Sequence, residues 1–259
     1  MNIHSSAIVS SKAKVGLNVK IGPFTVIHDN VSLGDGTIVE GFCELGVSNH
    51  LSNGENLLIG KNSYIRSHSI FYEASVFGEN LVTGHRVTVR EKIRAGKNLQ
   101  VGTLSDLQGH SEIGDYVRFH SNVHIGQKAK IGNFVWIFPY VVLTNDPHPP
   151  SNILKGVTVE DYAVIATMSV ILPGVTIGSG CLIGAHSSVN KSTESNMLYA
   201  GSPAKKLYAT SKVLLQDGTG CPAYPWTNHF HRGYPEEFIK AWVNESKKVP
   251  EGNVETPSL

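Results

Sequence analysis

The chain has 259 residues, 22 basic and 21 acidic side chains, and a net charge near +1. That balance, with no basic run or stripe and no sustained heptads, argues against nucleic-acid binding and against a coiled coil. No 18-residue apolar span occurs, and the opening MNIHSSAIVSS has no secretory pattern, so a soluble, cytoplasmic protein without membrane insertion is expected. Three cysteines without motif spacing argue against a disulfide framework or a zinc site.

From Ile3 onward a bulky aliphatic or aromatic residue recurs at every sixth position. The first run reaches Leu45, the second goes from Ile59 to Leu143, and the third from Val159 to Val189. Of these 29 positions only Thr83 and Ala95 are not Val, Ile, Leu or Phe. A period of six fits neither a helix nor a hairpin sheet; it predicts an all-β parallel β-helix of hexapeptide repeats spanning 2–191. Residues two places before the register positions are often small or β-branched, such as Val31, Ser63, Val117 and Cys181, and should also point inward, because alternate strand residues share a face. Glycine follows the register position in 14 of the 29 cases, where the chain turns a corner. Three hexads per coil give about ten coils, each stacked on its neighbours because none could bury its core alone.

Two interruptions break the count. Leu45 and Ile59 lie 14 residues apart, which is two more than two hexads, and Leu143 and Val159 lie 16 apart, four more than two hexads. The surplus is expected to leave the prism as loops near 46–58 and 145–156, the second stiffened by NDPHPPSN. After residue 191 the pattern ends, and 192–259 reads as a C-terminal tail. Within it Phe238, Ala241 and Trp242 have helical spacing, predicting a helix near 235–247, and VPEGNVETPSL looks disordered. Tyr224, Trp226, Phe230 and Tyr234 read as a packing cluster rather than a stacking site.

Residues 18 apart should lie one above another, about 4.8 Å away. His124, just before register residue Ile125, faces outward, and Asp106 occupies its column one coil earlier. A carboxylate there could hold one imidazole nitrogen and leave the other as a general base. Asn122 lies beside His124 with Tyr140 in its own column, and Arg118 lies below Trp136 as a cation–π pair. The twelve histidines do not form a metal site on spacing: His85, His110, His120 and His124 fall at different hexad offsets, so no metal is expected.

The segment LPGVTIGSGCLIGAHSSVNKS, followed by Gly201-Ser202-Pro203-Ala204-Lys205, resembles the closing coil of hexapeptide acyltransferases that use acyl-CoA. SNVHIGQKAKIGNFVWIFPYVVLTNDPHPPS is similar to their sugar-nucleotide N-acyltransferase branch. The resemblance implies a left-handed prism, a homotrimer, and CoA lying between two prisms where it meets a nucleotide-linked amino sugar. It puts Asn122 and His124 near the amine, and Asn145, Asp146 and His148 on a substrate-binding loop that Tyr140 adjoins. It also implies CoA contacts at Ala166 and Ala185, with Lys191, Lys205 or Lys206 near the phosphates. Relatives differ over whether a histidine is the base or the amine is only positioned, and this sequence carries both an Asn and a His. The expected activity is therefore transfer of an acyl group, acetyl first, from acyl-CoA to a nucleotide-linked deoxyamino sugar. An O-acyltransferase and a non-catalytic binding trimer are the alternatives.

Overall fold

A computed structural model describes residues 2–246. Lys247, the last residue of the expected helix, and the VPEGNVETPSL end lie outside that range. The chain divides after Tyr208 into two compact units.

The first unit is a left-handed parallel β-helix. Each of the 29 register residues falls in its own short strand, and successive strands are dealt in turn to three parallel sheets. The first sheet begins with Asn2–Ile3, the second with Ile8–Val9 and the third with Lys14–Val15. Strands one coil apart pair in register, as Asp106 does with His124 and Leu107 with Ile125. Register residues and the small residues two places earlier form one continuous core, including Leu45, Phe71, Leu107, Ile125 and Val117 at 0% exposure. Cys43 and Cys181 are in it, at 1% each. The corners demand a left-handed backbone, which Asn62, Asn80, Asn98, Asn122 and Tyr140 adopt with φ between 55° and 62°. Asparagine tolerates that region better than most residues, whereas tyrosine takes it at a cost that the fold must cover.

The two interruptions leave the prism as loops where the count breaks. Both join a strand of the second sheet directly to one of the third, with no strand between. An ordinary step takes six residues, so the 14 from Leu45 to Ile59 and the 16 from Leu143 to Val159 expel eight and ten residues. A hexad hidden inside either gap would have to occupy a sheet position, and the pairing shows none: Val31 pairs with Leu57 and Lys130 with Thr158. The strands stop at Val47 and Leu143 and resume at Leu57 and Thr158, so both loops leave from the same edge of the prism.

Past the last hexad the first sheet continues through Met197–Gly201 and Ala204–Ala209, and the Gly201–Lys205 motif makes the turn between them. Gly201 has φ of +103°, which a side chain would resist.

The second unit contains an isolated bridge between Leu214 and Pro222, a 3₁₀ turn at Trp226–Asn228 and a helix at Glu236–Ser246. Trp226, Tyr234 and Trp242 are buried in its small core, with Trp242 5.6 Å from Trp226 and 5.1 Å from Tyr234 between ring centres. The aromatic cluster is thus packing, and Trp242 is its centre. Among the described residues no helix is long and apolar enough to cross a membrane.

Candidate active site

The second sheet's outer face carries the site. Because Ile125 and Leu107 point into the core, their neighbours His124 and Asp106 must point out, and the coil-to-coil ladder sets them side by side. His124 Nδ1 lies 3.2 Å from Asp106 Oδ2, and both side chains are partly exposed. The same carboxylate oxygen accepts a hydrogen bond from Gln108 Nε2 at 2.5 Å. Burial raises the Asp106 pKa, but hydrogen bonds from His124 and Gln108, with the charges of His124 and Arg90, outweigh it and hold the carboxyl below its ordinary value. An ionised Asp106 can accept a hydrogen bond from Nδ1–H, the tautomer in which Nε2 carries the lone pair.

Asn145, the second residue of the later loop, lies over the same face. A side chain added at Gly126 would meet the Leu143 carbonyl oxygen at 2.6 Å and the Asn145 Cβ at 3.3 Å, so Asn145 passes close to the residue that follows Ile125 one coil below. Asp146, expected on the substrate-binding loop, hydrogen-bonds within that loop. Its carboxylate accepts bonds from Ser151 Oγ at 2.6 Å, the Ser151 amide at 2.8 Å and the His148 amide at 3.0 Å. Those bonds, the Ser151 hydroxyl first, lower its pKa. Asp146 therefore shapes the loop that carries Asn145 and the exposed His148.

Asn122 and Tyr140 stack in one column at the corner between the first and second sheets, on the opposite margin of the His124 face. Tyr140 is 53% exposed, which leaves its ring available to a ligand. Around that corner, on the first sheet, Arg118 sits 4.7 Å from the Trp136 ring centre, as the spacing indicated. His120 stacks on Phe138 at 4.5 Å. Burial, then the Arg118 charge, push the His120 pKa down. Sequence reading missed this cluster, although His120 and Phe138 share a column at 18-residue spacing.

The residues expected to hold CoA lie in later coils. The Ala166 amide is already spent on the Ile183 carbonyl at 2.9 Å, so only its carbonyl and methyl remain for a ligand. Ala185, Lys191 and Lys205 are exposed. Lys206 differs: its ammonium is 2.6 Å from Glu194 Oε2, and that partner raises its pKa.

The repeats and the fold define a left-handed β-helix built of hexapeptide repeats. Residues 156–191 match the bacterial transferase hexapeptide family (six repeats). The chain is 30% identical over 135 residues to the acyl-[acyl-carrier-protein]--UDP-N-acetylglucosamine O-acyltransferase of Rickettsia peacockii, covering 50% of this chain and 46% of the relative. It is 32% identical over 112 residues to the galactoside O-acetyltransferase of Escherichia coli, covering 35% and 55%. The chain thus spans about half the length of these curated relatives. The Arabidopsis UDP-N-acetylglucosamine acyltransferase structure superposes with a TM-score of 0.60 at 20% identity, covering 80% of this chain and 74% of that one. That likeness establishes the fold.

Proposed function

We propose that the protein transfers an acyl group, acetyl first, from acyl-CoA to the amine of a nucleotide-linked deoxyamino sugar, in the cytoplasm and in the service of glycan assembly. The observation that carries this reading is the outward His124–Asp106 pair, joined across adjacent coils, with Asn122 at the corner that precedes the His124 strand. In this reading the neutral amine attacks the thioester carbonyl as His124 Nε2 takes its proton. The tetrahedral oxyanion then collapses, the carbon–sulfur bond breaks, and the imidazolium returns the proton to the CoA thiolate. Asn122 and Asn145 orient the sugar, because near-attack geometry supplies much of the rate in such transfers. CoA runs along the late coils past Ala166 and Ala185, with Lys191 and Lys205 as the free cations for its phosphates. The chain acts as a homotrimer with sites between prisms. Exposed apolar residues at one corner (Phe24, Phe42, Leu104, Tyr140, Met168), interspersed with His68, Arg86 and Asn122, support that assembly.

The same His–Asp pair favours a second reading, O-acyl transfer to a sugar hydroxyl, because a hydroxyl needs a stronger base than an amine does. A thermal-shift panel of acyl-CoAs and dTDP-, UDP- and GDP-amino sugars, followed by mass analysis of the product, separates the two. A product acylated on nitrogen supports the first reading and one acylated on oxygen the second. No stabilisation by millimolar CoA would leave a non-catalytic binding trimer.

A further inference from the structure

The loop expelled between Val47 and Leu57 does not hang free. It runs along the prism edge and covers two carboxylates, Glu73 and Glu91, that are 2% and 0% exposed. Ser52 Oγ donates to Glu73 Oε1 at 2.5 Å, and Asn30 Nδ2 donates to Oε2 at 3.1 Å. Two coils beyond the point where the loop leaves, Asn49 Nδ2 donates to Glu91 Oε2 at 2.8 Å. Arg90 Nε donates to that same oxygen at 3.1 Å, and the Arg90 guanidinium lies 5.1 Å from the Tyr72 ring centre. Arg90 is thus gripped on one edge by a buried carboxylate and on one face by an aromatic ring. It stands one coil below Gln108 in the same outward column, since Val89 pairs with Leu107. Gln108 in turn holds the Asp106 carboxylate that binds His124.

We infer that Asn49, Glu91 and Arg90 are positioning residues through which the 48–56 loop sets the electrostatics of the Asp106–His124 pair. This rests on the proposed role of His124. The loop keeps Glu91 dry and hydrogen-bonded, and Glu91 with Tyr72 holds the Arg90 cation one coil below Gln108. From there its charge helps keep Asp106 ionised as the partner of His124. The other charged and titratable groups around the pair are His110 and Lys128 at the adjoining corner, and Asp146 and His148 on the loop above.

Glu91 is wholly buried, and its replacement endangers the fold, so the test uses Arg90→Gln, Arg90→Lys and Asn49→Ala. The Asp106 carboxyl is titrated by NMR, its signal identified by loss in Asp106→Asn, and the acid limb of the kcat profile is recorded in parallel. In Arg90→Gln the Asp106 titration should move to higher pH, because a cation that favours the carboxylate is removed. Arg90→Lys should stay nearer the parent, and Asn49→Ala should move the same way by less. Unchanged Asp106 titration in Arg90→Gln and Asn49→Ala proteins of parental thermal stability overturns the inference. Should the titration move while His124→Ala retains full transfer activity, the network stands as an electrostatic coupling and the proposed base is wrong.

Discussion

His124 Nδ1 and Asp106 Oδ2 meet at 3.2 Å across two adjacent coils, joined by the ladder that pairs Asp106 with His124. Backbone register, not a loop, holds the pair together, so its geometry is as rigid as the prism. If His124 removes the acceptor's proton, His124→Ala should lower kcat by about 10²–10⁴-fold with little change in CoA affinity. Asp106→Asn should lower it less, through imidazole orientation. Steady-state kinetics with CoA titration checks both. Near-parental kcat with a raised sugar KM would instead make His124 a substrate-positioning group.

The buried carboxylates predict an acid-sensitive fold. Burial raises the pKa of Glu73 and Glu91, but hydrogen bonds, from Ser52 first to Glu73 and from Asn49 first to Glu91, bring both below the ordinary value. A depressed folded pKa means stability that is present above the unfolded value, about 4.3, and is lost as pH falls through the folded one. Melting temperature should therefore drop steeply below about pH 4. Glu91→Gln should flatten that slope, and an unchanged slope would count against the account.

Among the lysines near the last coils, Lys191 and Lys205 should matter most to CoA. Lys191→Ala and Lys205→Ala should each weaken CoA binding, more at low salt than at high, since exposed charges are screened. Lys206→Ala should have the smaller effect, because Glu194 already occupies its ammonium at 2.6 Å. Isothermal calorimetry at two ionic strengths reads the order.

The exposed apolar corner predicts self-association. Light scattering should give three times the chain mass. Leu104→Asp, at a position 51% exposed, should reduce it without lowering the helical or strand content seen by circular dichroism. A clean monomer for the parent protein would remove the trimer and any site between prisms.

Thiol chemistry should separate the cysteines. Burial pushes the Cys43 and Cys181 thiols up to about 11, whereas Cys221 is exposed. In the native protein one thiol should react quickly with an alkylating reagent, and peptide mapping should place it at Cys221. Fast labelling of Cys43 would mean that the third coil opens.

The hexad period from Ile3 to Val189 made the parallel β-helix readable without coordinates. Each coil repeats one steric demand, a large residue inward and a glycine-tolerant corner. The same arithmetic put Asp106 under His124 and Arg118 under Trp136, because ladder pairing converts an 18-residue spacing into contact. The spacing is silent where chain length departs from the period. Within the two loops, counting does not say which residues remain on the lattice, and only the fold shows the Asp146 carboxylate closing its own loop through Ser151.

The sequence by itself determined the architecture, the inward columns and the outward neighbours of the candidate base, all through short-range periodicity. Only the tertiary structure decided that both loops leave from one edge of the prism and that Glu91 is buried beneath Asn49. It alone showed Lys206 already paired. Those outcomes depend on where an aperiodic segment comes to rest, and on whether a charge finds its partners after water is removed. Neither follows from spacing along the chain.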